Sequence, residues 1–143
     1  MRPVVVDASV ALKWFLRDQA AEDHVDQALD LLRGIAHGSI LPMQPPHFVA
    51  EVAAVLARAK PDAAQRDLQR LLALPMRVVG EPGHCASAMA LASQLGLHVF
   101  DTLYHALALD TAGAVFVTAD ERYERSARGE GRVVRLRDFV LPA

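Results

Sequence analysis

Four acidic residues stand in surroundings that suit chemistry: Asp7 in VVVDAS, Glu51 in FVAEVAAVL, Asp101 in VFDTLYHALAL and Asp120 in VFVTADERY. They are far apart in sequence, so only a fold can gather them. Carboxylates gathered at one point repel one another, and a divalent cation with a preference for hard oxygen ligands is the natural remedy. Displacement at a phosphate ester is the chemistry such a centre supports. A metal-dependent enzyme acting on phosphate esters is therefore the leading expectation.

Position along the chain separates these four from the other thirteen acids. Asp7 directly follows the β-branched run Val4–Val6, which reads as a strand buried on both faces. Asp101 follows a very short predicted strand at His98–Phe100, and Asp120 comes two residues after a predicted strand at Ala114–Thr118. In open parallel sheets, sites form outside such carboxyl ends. Glu51 lies within a helix, where Phe48 at i−3 and Val55 at i+4 put it in or beside the apolar stripe. A charge there is costly unless paired or metal-bound, and no base stands out as its partner, Arg58 being two turns away. Each acid alone has a plain structural account: helix capping for Asp7 and Asp101, turn chemistry for Asp120. It is the joint arrangement that favours one site. The remaining acids read as surface, with Glu22, Asp23, Asp26 and Asp30 on a solvated helix face and Asp62 and Asp67 flanking a helix start.

The elements that must position the four acids alternate between strand and helix. After Val4–Val6, Ser9 reads as the N-cap of a helix from Val10 to Leu16. A helical stripe spans Ala20–Ala36, ended by Gly38. A strand at Ser39–Met43 and Pro45-Pro46 lead into a helix at His47–Ala59. Pro61-Asp62 break that helix and open another, running to about Leu74. A strand at Met76–Val79 precedes a helix from Gly83 to Leu95, stopped by Gly96. Beyond Phe100 come a helix from Asp101 to about Ala112, the strand at Ala114–Thr118, a short helix over Asp120–Ala127 and a strand at Val133–Leu136. The alternation predicts an α/β fold, a parallel sheet with helices on both faces. With 143 residues and no linker or repeat, one domain spanning 1–143 is expected.

Composition excludes several classes. A net charge of −2 does not coat nucleic acid by bulk positive charge, so any nucleic-acid substrate needs a local basic patch or metal ions. Cys85 is the only cysteine, which fits a reducing compartment without disulfides. No signal-peptide or membrane-spanning run is visible, so a soluble cytoplasmic protein with no membrane partner is expected. The six histidines form no zinc-ligand spacing; His105, at i+4 from Asp101, is expected to pack rather than react. No phosphate-loop motif or serine-nucleophile elbow is present. A receiver domain wants an acid pair after the first strand and a late lysine, but the only lysines are Lys13 and Lys60. An aspartyl-nucleophile phosphatase wants Asp-x-Asp, and position 9 is Ser9.

V-V-D-A-S-V-A-L-K-W-F-L at the start, the helix around Glu51, F-D-T-L-Y-H-A-L-A-L and F-V-T-A-D-E-R-Y resemble, in that order, PIN-domain ribonucleases of the VapC toxin type. The resemblance covers Val4 to about Val140. It implies a three-layer α/β/α sandwich with a central, mostly parallel sheet. It matches Asp7, Glu51, Asp101 and Asp120 to the family's acidic quartet, and Ser9 and Thr118 to the hydroxyl positions beside the acids. Phe100 and Thr102 stand where tyrosine and alanine are more usual; neither change removes a ligand. Also implied are Mg2+ or Mn2+, an endoribonuclease activity on structured RNA such as tRNA, an inhibiting antitoxin and a homodimer. A PIN nuclease of RNA processing without an antitoxin is the alternative, as is a non-catalytic RNA- or protein-binding module of the same fold.

Two further features bear on partners. Arg122, Arg125, Arg128 and Arg132 cluster after the fourth acid, with Arg122 and Arg125 the nearest candidates for RNA phosphates; a solvated basic face, or a seat for the antitoxin, is the competing reading. The Val10–Leu16 helix is apolar nearly all round, which makes Trp14 and Phe15 candidates for an antitoxin groove or subunit interface, against an ordinary internal helix.

Overall fold

Val4, Val5 and Val6 are all but sealed from solvent in the computed structural model, which describes residues 1–19 and 21–142. They form most of β1 (Arg2–Val6), the middle strand of the sheet. The chain continues through α1 (Ala8–Leu16), α2 (Val25–Ala36), β2 (Ile40–Gln44), α3 (Phe48–Ala59), α4 (Ala64–Leu72), β3 (Arg77–Val78), α5 (Gly83–Leu95), α6 (Val99–Asp110), β4 (Val115–Thr118), α7 (Glu121–Ala127) and β5 (Val133–Arg135). All pairings are parallel, in the order β3-β2-β1-β4-β5. Helices cover both faces, making a three-layer α/β/α sandwich. Strand order reverses between β1 and β4, and that reversal opens a crevice at their carboxyl ends.

Packing against the sheet explains the local choices. Trp14 is buried and its Nε1–H donates to Ala28 O at 2.8 Å, fixing α1 against α2. Gly34 lies on α2 where an added Cβ would meet Ile40 Cδ1 at 2.6 Å and Leu141 Cδ2 at 2.7 Å, so only glycine lets the helix sit this close to β2. Thr102 Oγ1 donates to Ala88 O at 2.8 Å and locks α6 to α5.

Four expectations need correction. His98–Phe100 is not a strand. Gly96, at φ 67°, ends α5, and His98 caps α6 by accepting the Phe100 N–H at its Nδ1, so too little chain remains for a strand. Ser9 lies inside α1, because the cap position falls two residues earlier, on Asp7. The helix expected from Ala20 begins at Val25, Ala20 itself lying outside the described residues. Glu22 and Asp23 precede it and fold back onto the buried Lys13, which they hold at 2.9 and 3.0 Å; a lysine sunk into the core needs such partners. Asp67, finally, is 1% exposed rather than on the surface. Lys60 reaches it at 3.0 Å, with Arg66 and Arg70 at 3.6 and 3.7 Å, and the same ammonium donates to Phe15 O. Among the described residues no helix is long and apolar enough to cross a membrane.

Candidate active site

Because Val6 and Val117 stand in register, β1 and β4 leave the sheet side by side. The Asp7 N–H extends the ladder by donating to Val117 O at 3.0 Å, and the Asp7 carbonyl accepts from Val10 and Ala11 to start α1. Its carboxylate makes no capping bond. Instead the buried Thr118 hydroxyl donates to Asp7 Oδ2 at 2.6 Å and accepts the Asp120 N–H at 3.0 Å, so one hydroxyl ties two of the acids. Ser9 Oγ accepts the Ala119 N–H at 3.2 Å, stitching α1 to the β4–α7 turn, and its hydrogen bonds also favour the Asp7 anion. On the other side, Gln44 is fully buried and its amide pairs with both backbone groups of Val6, at 2.8 and 2.7 Å. The residue before Asp7 is therefore held on both flanks.

Asp120 does more than make a turn: it stands just before α7, where Oδ1 accepts the Tyr123 N–H at 3.0 Å and caps the helix. Asp101 is in the first turn of α6 and makes no side-chain hydrogen bond among the described residues. Partial burial, then the charges of Glu51 and Asp120, raise its carboxyl above the ordinary aspartate value. Asp7 is raised further, to about 6: burial dominates, opposed by Thr118 and Ser9 and reinforced by Asp101. The four acids are thus electrostatic neighbours at one edge of the sheet. Among the described residues no three His, Cys, Asp or Glu side chains close into a ready-made metal cage. The donors are nevertheless all carboxylate oxygens, the hard set that magnesium and manganese take.

Glu51 corrects the expectation that it lacks a nearby base. His47, one turn earlier on the same face, approaches Glu51 Oε1 at 3.1 Å, and the Tyr104 hydroxyl donates to that same oxygen at 2.7 Å. Desolvation alone would raise the Glu51 carboxyl, but these two bonds outweigh it and leave the carboxyl below its ordinary value. His47 also donates to Phe100 O at 2.8 Å, which assigns the proton to Nε2. Tyr104 stacks on Phe116, rings 5.6 Å apart and 7° from parallel, and Phe116 meets Tyr123 edge-on. These aromatics form an apolar bed beside the acids. Replacing Tyr104 with Phe is expected to cost about 1–2 kcal/mol of stability, since a half-buried carboxylate loses a donor; urea denaturation reads it directly.

Other expected residues fall into place around this centre. His105 is fully buried; Nε2–H donates to Gly131 O at 2.8 Å, so Nδ1 accepts from Tyr123 Oη at 3.0 Å, and it packs as expected. Arg128 forms a bidentate pair with Glu124, and Arg132 donates to Thr111 O at 2.7 Å behind α6, so both have structural work. Arg122 and Arg125 are exposed and make no ion pair among the described residues. Phe15 and Trp14 border a cavity of about 180 Å³ shared with Arg17, Leu32, Arg70 and Leu74. His47, Tyr104 and Gln44 are the site residues that sequence reasoning missed.

The family model of the PIN domain matches residues 4–129, which include all four acids. The chain belongs to the PIN domain family. PIN domains are generally metal-dependent nucleases. Among curated proteins, none matches the chain. Solved structures that share the fold include the following two. PAE2754 from Pyrobaculum aerophilum is 22% identical, with a TM-score of 0.65 over 95% of this chain and 90% of its own. VapBC2 from Rickettsia felis, bound to a DNA fragment from their promoter, is 14% identical, with a TM-score of 0.66 over 93% and 98%.

Proposed function

We propose that this PIN domain is a Mg2+- or Mn2+-dependent endoribonuclease acting as the toxin of a toxin–antitoxin pair. The observation that carries the nuclease reading is the gathering of Asp7, Asp101, Asp120 and Glu51 at the β1–β4 crevice, with Thr118 joining two of them. Asp7, Asp101 and Asp120 would hold the metal, with Glu51 joining directly or through water. When bound, the ion supplies Lewis-acid polarisation of the scissile phosphate and lowers the pKa of attacking water. The chain's own residues do the positioning. Thr118 and Ser9 fix the Asp7 carboxylate. His47 and Tyr104 both engage Glu51 Oε1, which leaves Oε2 to align the incoming water.

The toxin reading draws support from the VapBC2 neighbour and from the motif resemblance across the chain. The cavity beside Trp14 and Phe15, apolar inside with Arg17 and Arg70 at hand, suits an antitoxin segment with an apolar anchor and an acidic flank. A structured RNA such as tRNA is the substrate, met in the cytoplasm by a homodimer of single-domain chains. Partner-free protein incubated with total RNA and Mg2+ or Mn2+ should yield a few discrete new 5′ ends. Their absence from demonstrably folded protein would move the reading to a non-catalytic binding module.

Arg122 and Arg125 are assigned to RNA phosphates. Converting both to Ala is expected to weaken RNA binding about tenfold at low salt and to reduce the salt slope of the binding constant by about 1–2, measured by filter binding over a salt series.

A further inference from the structure

A second feature lies on the same carboxyl edge of the sheet, and the acids do not account for it. A cavity of about 320 Å³ opens between the exits of β2 and β3. Pro45, Pro46 and His47 wall one side, Val79 to Pro82 the other, and Leu103 and Leu107 of α6 close it behind. We propose that this cavity is a nucleobase pocket, taking one unstacked base of the nucleic acid that is cut at the acid cluster; the cutting itself rests on the nuclease reading above.

Position supports the assignment. His47 borders the cavity and also touches Glu51 Oε1, so pocket and acids are one side chain apart. A strand of nucleic acid with a phosphate at the acids therefore brings a neighbouring base to the mouth of the cavity.

Charge selects among occupants. No lysine or arginine lines the cavity, and the Nδ1 of His84 is already engaged by Asp110 at 2.9 Å. Glu81 is the one formal charge in the lining. A phosphate is rejected by such a lining, while a neutral, planar group is not. Three prolines, two imidazoles and two leucines offer flat apolar surfaces of the kind bases pack upon. The volume suits a base with part of its sugar. Glu81 offers an acceptor at the rim for an N–H on the edge of a base. The pocket thus favours bases presenting N–H donors.

Gly80 offers a clean way to close it. Its backbone is not in the left-handed region, and an added Cβ would meet only Pro46 Cγ, at 3.7 Å. Gly80→Phe starts from a Cβ that the backbone and its neighbours accept and should fill the cavity, and Leu103→Phe fills it from the opposite wall should the first variant fail to fold. ¹⁵N-labelled protein in EDTA, titrated with a short mixed-sequence RNA, should show amide shifts concentrated at Val79, Gly80, His84, Cys85 and Leu103. The filled variants should bind that RNA about tenfold more weakly. With metal supplied, an oligonucleotide carrying an abasic nucleotide stepped across the cut should lose about tenfold in kcat/KM at one position, and the filled variants should be indifferent there. Cleavage without any abasic-sensitive position and without shifts at these amides overturns the pocket and leaves the nuclease standing. Shifts at these amides without any cleavage keep the pocket and remove the nuclease. Shifts that follow protein concentration instead of RNA assign the cavity to a second copy of the chain, and overturn the proposal.

Discussion

Asp101→Asn is expected to lower RNA cleavage by about a thousandfold or more while leaving the melting temperature within a degree or two of the parent. Two facts set these opposite outcomes. Asp101 makes no side-chain hydrogen bond among the described residues, so its removal orphans no partner. Its carboxyl is raised by burial and by the charges of Glu51 and Asp120, so the anion is a net burden on the apo fold. Against that relief stands the loss of an acid in the first turn of α6, worth about 0.3–1 kcal/mol through the helix dipole. The two nearly cancel. Nothing cancels in the activity: on the proposed chemistry a metal ligand worth several kcal/mol of transition-state charge stabilisation would be gone, and each 1.36 kcal/mol is a factor of ten in rate. Paired measurements of kcat/KM on a mapped oligonucleotide and of the thermal melt decide it. Cleavage within tenfold of the parent would take Asp101 out of the metal set, and a melt lowered by many degrees would make it a structural residue.

Which parts of this site were visible in the sequence follows from the range of the interactions. Asp7 and Asp120 sit at strand exits, and VVV and VFVT are short runs whose β-branched and aromatic content marks buried strands without outside help. The parallel order and the three layers follow from the alternation of such runs with helices. Asp101 was placed at the right edge through the wrong element, because three apolar residues before it are equally compatible with a strand and with a capped helix start; the αL cap at Gly96 settles the matter by leaving no room. Glu51 was singled out as an unpaired charge, yet its partners are an imidazole one turn back and a phenol 53 residues on. A search for Lys or Arg overlooks the first, and no local pattern encodes the second. Gln44 belongs to the same class. Its amide completes the backbone pairing of Val6, a contact across 38 residues, and the only local hint is a polar residue closing an apolar strand. The burial of Asp67 is not legible because the cation that seals it, Lys60, lies seven residues earlier and also reaches back to Phe15 O of α1, a contact no local pattern encodes.

The second large effect concerns pH and metal together. Burial pushes the Asp7 carboxyl up to about 6 from 3.8, Thr118 and Ser9 restraining the rise and Asp101 adding to it. The folded state thus holds this proton more tightly than the unfolded chain. Stability from this group is complete below pH 3.8 and is lost as pH climbs through 6, a difference of about 3 kcal/mol at neutrality. Asp7→Asn removes the titration while retaining an oxygen to accept from Thr118, so the geometry of the β1–β4 exit survives. In EDTA at pH 7.5 the variant is expected to melt several degrees above the parent, and the two curves should converge near pH 4. Millimolar Mn2+ or Mg2+ should then reverse the order. A cation neutralises the buried anion and stabilises by RT ln(1 + [L]/Kd), about 4.1 kcal/mol at a thousand times Kd and so more than the penalty, and the variant lacks the charge that draws it. Thermal melts of both proteins across pH, with and without metal, make the comparison. Parallel pH curves would show that the crowded acids do not strain the apo fold. A parent melt indifferent to both metals would remove Asp7 from cation binding and take the support from the proposed chemistry, because an acid forced up by burial at a sheet exit, with no cation to answer it, would be a cost the fold carries without return.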